Sequence, residues 1–206
     1  MRCWRCRRRW HEVGRRARHD RRPRRPVDVS HPPAVPIRQG VAAEIDRLRE
    51  IERLAATRFL ATPFAAVAGH AATAAAVLAD RIAAGRLLVA TDRDADTAIG
   101  FVMVRPVDAG AYIEEIDVLP AHAGRRIGAA LIARVAALAG ERGWSALLLS
   151  TFRDVPWNAP YYRRLGFAAL EDADLSPSLR EIRAQHVARG LDEGSRVFMR
   201  RDLPCR

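Results

Sequence analysis

The order of apolar patterns along these 206 residues predicts an α/β domain, a mixed sheet with helices on both faces. Three observations carry that expectation. Short runs rich in Val, Ile and Leu recur from residue 86 to residue 203, bounded by Gly, Asp and Pro turns. Stripes at helical spacing lie before, between and after them. At 111–131, AYIEEIDVLPAHAGRRIGAAL, a β-rich run ends in Pro120, crosses a glycine-bearing loop and enters a helix without a polar break.

The elements follow in order. Residues 26–36 hold Pro26, Pro32, Pro33 and Pro36 and read as a linker, and a short strand at 34–38 opens the domain. Residues 42–59 are predicted helical, with Ile45, Leu48, Ile51 and Leu54 on one stripe. The Ala-rich stretch 66–84 is predicted to be a second helix, ending near Gly85. Strands at 86–91, 97–104 and 111–119 come next; the turns RDAD and VDAG between them make the three antiparallel neighbours. A helix over 127–142 sets Ile127, Leu131, Val135 and Leu138 toward the core, with Gly143 as its C-cap. Its length makes the strand at 145–151 parallel to the one before it, through a helical crossover. Pro156 fits the first turn of a short helix that ends before Gly166. Strands at 167–170 and 196–203 close the sheet. Between them Ser176-Pro177 caps an inserted helix carrying Leu179, Ile182 and Val187 and ending near Gly190.

Charge divides the chain. Its formal net charge is +11, yet residues 1–25 alone hold twelve Arg against Glu12 and Asp20. The remainder is nearly neutral, so nucleic acid is expected as a partner of the tail at most. All 35 basic residues are Arg. A block of like charge with so few apolar residues is expected to be disordered over 1–33, leaving 34–206 as one domain. An arm for nucleic acid or acidic surfaces and a plain solvated extension both fit the tail, and its composition favours the second. Cys3, Cys6 and Cys205 are the only cysteines, which fits a reducing compartment. Cys3 and Cys6 with His11 make at most half a zinc site, and no metal is expected. The Arg-rich start lacks the apolar stretch of a secretory signal, and the apolar stretch 61–79 is broken by Pro63, Gly69 and His70. A cytoplasmic, soluble enzyme away from membranes is the expected setting.

The loop at 123–128 has its own chemistry. Free N–H groups at a helix N-terminus, with the helix dipole behind them, suit a phosphate. Some thirty residues on stands NAPYYRRLGF at 158–167. The element order, the loop and this run together resemble the GNAT superfamily of acetyl-CoA-dependent N-acetyltransferases, over roughly residues 34–203. The resemblance implies a mixed, mostly antiparallel sheet of six to seven strands, with acetyl-CoA as co-substrate. It implies that Gly124, Arg125, Arg126, Ile127, Gly128 and Ala129 hold the pyrophosphate, and that Ile116, Asp117 and Val118 pair through their backbone with the pantetheine arm, with Asn158 as a further contact. The loop departs from the family pattern, with Ala123 where Arg or Gln is usual and Arg126 where Gly is usual. The paired guanidinium groups of Arg125 and Arg126 offset that by offering cations to phosphate oxygens. Tyr162, five residues before Phe167, aligns with the family's general acid at the thioester sulfur; Tyr161 reads as a core aromatic.

An amine acceptor must lose a proton before it attacks. Glu114 and Glu115 are adjacent on a strand, so regular alternation sends their side chains to opposite faces. Glu114 then shares a face with Tyr112, Ile116 and Val118, the parity of substrate-side groups in several related enzymes, and is the expected base. Glu115 shares the other face with Asp117. Arg153, Asp154 and Trp157, at the end of the strand 145–151, are candidates for acceptor contacts, and the inserted helix at 177–189 is expected to border the acceptor pocket. The expected function is N-acetyl transfer to a small-molecule or peptide amine by direct attack. The alternatives are a non-catalytic CoA-binding or regulatory module whose basic tail docks an acidic partner, and a purely structural module. A monomer and a homodimer both remain open.

Overall fold

The computed structural model describes residues 35–204. The N-terminal extension 1–33, with Cys3, Cys6 and His11, lies outside the described residues.

Seven strands form one sheet in the order β1-β2-β3-β4-β5-β7-β6. They are β1 (Ile37–Gln39), β2 (Leu87–Thr91), β3 (Ala98–Val107), β4 (Gly110–Val118), β5 (Ala146–Phe152), β6 (Ala168–Ala169) and β7 (Arg196–Asp202). All pairs are antiparallel except β4 with β5. Five α-helices accompany them: α1 (Ile45–Ala56), α2 (Ala75–Ala83), α3 (Ile127–Glu141), α4 (Ala159–Arg164) and α5 (Pro177–Ala188). The mixed, mostly antiparallel sheet and the order of elements match the sequence expectation, including the parallel step through α3.

One element differs. The Ala-rich stretch 66–84 is helical only over Ala75–Ala83; before it the chain forms 3₁₀ turns at Thr57–Ala61 and Ala65–Gly69 and then runs extended. Alanine favours helix but buries little, so propensity alone does not hold a helix against water. Phe59, Phe64 and Thr73 are instead drawn into contacts with β5 and α1. Leu54, expected on the buried stripe of α1, is 39% exposed.

The main core joins Leu48 and Ile51 of α1, Leu78 of α2, Leu131, Ile132 and Val135 of α3, and the strand residues Phe101, Val102, Leu147 and Met199. Each such side chain contributes about 1.5–3 kcal/mol on burial. A second, smaller core sits under α5, where Leu175, Leu179 and Ile182 cover Val107, Tyr112, Leu148 and Phe198. Ser176 caps α5 by accepting from the Leu179 N–H at 3.2 Å, and Asp108 accepts from the hydroxyls of Ser176 and Ser178 at 2.7 Å each. The helix is thereby fastened to the β3–β4 turn.

Two irregularities shape β4. Met103 pairs with Glu115 and Val104 with Ile113, so Glu114 is left over as a bulge. The β4–β5 ladder covers only Gly110–Ile113 against Ala146–Leu149, although β4 continues to Val118 and β5 to Phe152. Beyond Ile113 and Leu149 the two strands part. On the other side Gly100 presses on β4: a Cβ there would lie 2.8 Å from the Asp117 carbonyl oxygen and 3.1 Å from Val118 Cγ2. A Gly100→Ala substitution is therefore expected to push β4 out of register at Asp117, lowering Tm by several degrees in thermal unfolding, roughly 2–4 °C for each kcal/mol lost.

Candidate active site

The bulge decides which carboxyl faces what. Tyr112, Glu115 and Asp117 oppose Arg105, Met103 and Phe101, alternate residues of one strand, so the three share a face. Ile113, Ile116 and Val118 share the other. This corrects the parity expected for a regular strand. Glu114 accepts from Arg81 Nε at 2.5 Å and from Nη2 at 3.0 Å, and Arg105 Nε lies 3.3 Å from it. A carboxylate bonded to one guanidinium and paired with a second is an anchor between α2 and β4 rather than a free base.

Glu115 and Asp117 form the pair instead. Each keeps partial contact with solvent while protein surrounds it. Burial, with the nearby charge of Glu52, pushes the Glu115 carboxyl up to about 7, opposed in part by Arg196. Burial, then the charges of Glu115 and Glu52, hold the Asp117 carboxyl well above the usual range, with Arg58 opposing and a hydrogen bond between the two carboxyls adding to the rise. Two carboxyls sharing a site cannot both ionise cheaply. Glu52 reaches this point from α1. It accepts from the Thr73 N–H at 2.9 and 3.0 Å and from Thr73 Oγ1 at 3.0 Å, and burial raises it too.

Tyr162 on α4 is buried, in edge contact with Phe167 and Tyr161. Burial first, then the charges of Glu115 and Asp117, push its phenol upward, so it holds its proton. Arg196 donates to Ser150 Oγ at 3.2 Å and to the Ser150 carbonyl at 3.0 Å, fixing its charge at the end of β5. Asn158 precedes α4 as its N-cap residue without a side-chain cap bond, and its carbonyl accepts from the Tyr162 N–H at 3.0 Å. Trp157 is half-buried beside Phe59, whereas Arg153 and Asp154 are exposed and Arg153 donates to the Arg196 carbonyl.

At the loop, Gly124 has φ +76° and Arg126 has φ +60°. The position where a glycine was expected by resemblance is thus left-handed, and arginine occupies it at a cost of roughly 1–2 kcal/mol. The first bond of α3 runs from the Ala130 N–H to the Arg126 carbonyl at 3.1 Å, so the N–H groups of Ile127, Gly128 and Ala129 precede the ladder. Arg125 and Arg126 are exposed, and Arg125 Nη1 lies 2.9 Å from His122 Nδ1. At Gly128 a Cβ would come within 3.3 Å of the Tyr161 hydroxyl, so glycine allows α4 to approach the loop. Among the described residues no group of three or more His, Cys, Asp or Glu side chains is arranged so that it could hold a metal ion.

Residues 46–167 match the model of the Acetyltransferase (GNAT) family. The chain belongs to the GNAT acetyltransferase family. Solved structures agree on the fold. A GNAT-family acetyltransferase from Staphylococcus aureus Mu50 is 14% identical with a TM-score of 0.62, over 83% of this chain and 100% of that one. The PaiA N-acetyltransferase from Thermoplasma acidophilum, in complex with coenzyme A, is 16% identical with a TM-score of 0.59, over 82% and 99%. The N-acetylglutamate synthase of Neisseria gonorrhoeae, complexed with coenzyme A and N-acetyl-glutamate, is 17% identical with a TM-score of 0.62, over 83% of this chain and 35% of that longer one.

The protein is thus a GNAT acetyltransferase with acetyl-CoA as its acyl donor, and its own geometry suits that ligand. The open edge of β4 beyond Ile113 offers backbone groups to an extended amide-bearing arm. The free N–H groups at the start of α3, with Arg125 and Arg126, suit a diphosphate. No helix among the described residues is long and apolar enough to cross a membrane. Replacing Arg126 by Gly separates its two effects. Relief of the left-handed strain is expected to raise Tm by a few degrees, while loss of the cation weakens acetyl-CoA binding several-fold in calorimetry.

Proposed function

We propose that this enzyme acetylates a primary amine by direct attack on the thioester, with Glu115 as general base and Tyr162 as general acid. One observation carries the reading: Glu115, Asp117 and Tyr162 act on one another electrostatically at the stretch of β4 that β5 has left. Acetyl-CoA supplies the activated acetyl group. An alkylammonium has a pKa around 10, and a carboxylate poised near neutrality is suited to take its proton. Asp117, held protonated, hydrogen-bonds Glu115 and keeps the pair at a single negative charge. Backbone N–H groups near Val118 face the open edge, where they polarise a carbonyl. The Tyr162 hydroxyl, kept neutral by its surroundings, donates to the departing sulfur. Glu114, tied to two arginines, takes no part in proton transfer.

Glu115→Gln is expected to lower kcat by about 10²–10⁴-fold and to abolish the acid limb of the kcat/KM profile, whose bend in the parent enzyme is expected at about 7. Glu114→Gln is expected to lower Tm and retain that limb. Tyr162→Phe is expected to lower kcat by about 10²-fold at unchanged KM for acetyl-CoA. Full activity in both Glu115→Gln and Tyr162→Phe at saturating substrates would overturn the mechanism.

The raised carboxyl also bears on stability. Between the ordinary carboxylate range and about 7, folded Glu115 keeps a proton that the unfolded chain has released. Stability therefore falls as pH rises through that window. Glutamine carries no such penalty, so Glu115→Gln is expected to melt above the parent at pH 8 and level with it near pH 4.

A further inference from the structure

Four aromatic side chains gather where β5 ends. Phe64 stacks on Phe152 at 4.3 Å between centroids, Phe59 meets Phe152 at 5.3 Å, and Phe59 meets the edge of Trp157 at 5.9 Å. Phe152 is buried, whereas Phe59, Phe64 and Trp157 are only half-buried. The indole N–H of Trp157 is buried without a hydrogen-bond partner, a state that costs about 1–3 kcal/mol. The short turns at Thr57–Ala61 and Ala65–Gly69 bring Phe59 and Phe64 to this place.

The wall adjoins the carboxyls through two cations. The Arg58 guanidinium lies 4.6 Å from the centre of Trp157, and Arg196 lies 5.0 Å from that of Phe152. The same Arg58 acts on Asp117 and the same Arg196 on Glu115. These two cations thus have Glu52, Glu115 and Asp117 on one side and the aromatic rings of Trp157 and Phe152 on the other.

We infer that the acceptor is a primary amine borne on an aromatic or alicyclic ring, with the ring against the half-buried Phe59, Phe64 and Trp157, which Phe152 backs from beneath, and the ammonium group toward Glu52, Glu115 and Asp117. The inference rests on the amine-acetylation reading above and names its substrate class. A ring gains offset or edge contacts with this wall. A polyamine would bring its second ammonium onto faces that Arg58 and Arg196 occupy. An α-amino acid would bring its carboxylate among three carboxyls.

The test compares kcat/KM at saturating acetyl-CoA for 2-phenylethylamine, cyclohexylmethylamine, n-butylamine, spermidine, glutamate and a short peptide with a free N-terminus. The two ring amines are expected to exceed every other acceptor by about tenfold or more. In Phe59→Ala and Trp157→Phe, with folding checked by circular dichroism, KM for 2-phenylethylamine is expected to rise about tenfold more than KM for n-butylamine. Equal KM changes for these two amines, or a higher kcat/KM for spermidine, glutamate or the peptide, overturns the inference and leaves amine acetylation standing. Absence of CoA release with every amine overturns amine acetylation and this inference with it.

Discussion

Beyond Ile113 the backbone of β4 has a strand partner on one edge only, because the β4–β5 ladder stops at Leu149. An unpaired edge inside a sheet is normally a liability, with peptide groups cut off from partners and only partly open to water. Here β3 and Gly100 hold the other edge through Val118, so β4 stays extended while its free side faces a gap. The open backbone, the start of α3 and the phenol of Tyr162 all border the residues that follow this parting. The bulge at Glu114 coincides with it. One extra residue turns Glu115 toward the face that Asp117 and Tyr112 occupy and gives Glu114 to Arg81 and Arg105.

The electrostatics follow from that placement. Glu52, Glu115 and Asp117 converge, and burial raises all three. Arg58 at Asp117 and Arg196 at Glu115 oppose that rise. Arg196 is itself held by Ser150 and lies 3.5 Å from Glu193, whose carboxylate is 2.7 Å from His186 Nδ1. The inserted segment that carries α5 therefore reaches the cleft through a charge, in addition to covering Tyr112, Leu148 and Phe198. Its N-terminus is fastened at the β3–β4 turn, at the far end of β4 from Glu115.

The strands, the parallel crossover and the Gly124–Gly128 loop were readable because each depends on local signals: apolar runs, turn residues and helix spacing. The position of Tyr162 on a short helix packed against Phe167 was readable from its spacing to Gly166 and Phe167, whereas a role for it comes only from the resemblance. The choice between Glu114 and Glu115 was not, since alternation assumes a regular strand and the bulge is set by pairing with β3. The extent of α2 was misread for a related reason. Alanine signals helix over 66–84, but Thr73 is held by Glu52 and Phe64 by Phe152, tertiary contacts that outweigh propensity. Glu52, Arg58 and Arg196 carry no sequence signal at all; only packing of α1 and β7 against β4 and β5 brings them to the cleft.

The loop shows how sequence departure and conformation bear on each other. A left-handed residue at position 126 is required to turn the chain from Ala123 into α3 while leaving the N–H groups of Ile127, Gly128 and Ala129 open. Glycine meets that requirement at no steric cost. Arginine meets it with strain, and in exchange sets a second guanidinium next to Arg125 at the positive end of the helix. Two adjacent exposed cations at a helix start repel one another, and a bound diphosphate relieves that repulsion. The left-handed strain is needed for the open N–H groups and is present with or without a ligand, whereas the repulsion between the two guanidinium groups is the part that an anion at this helix start would relieve.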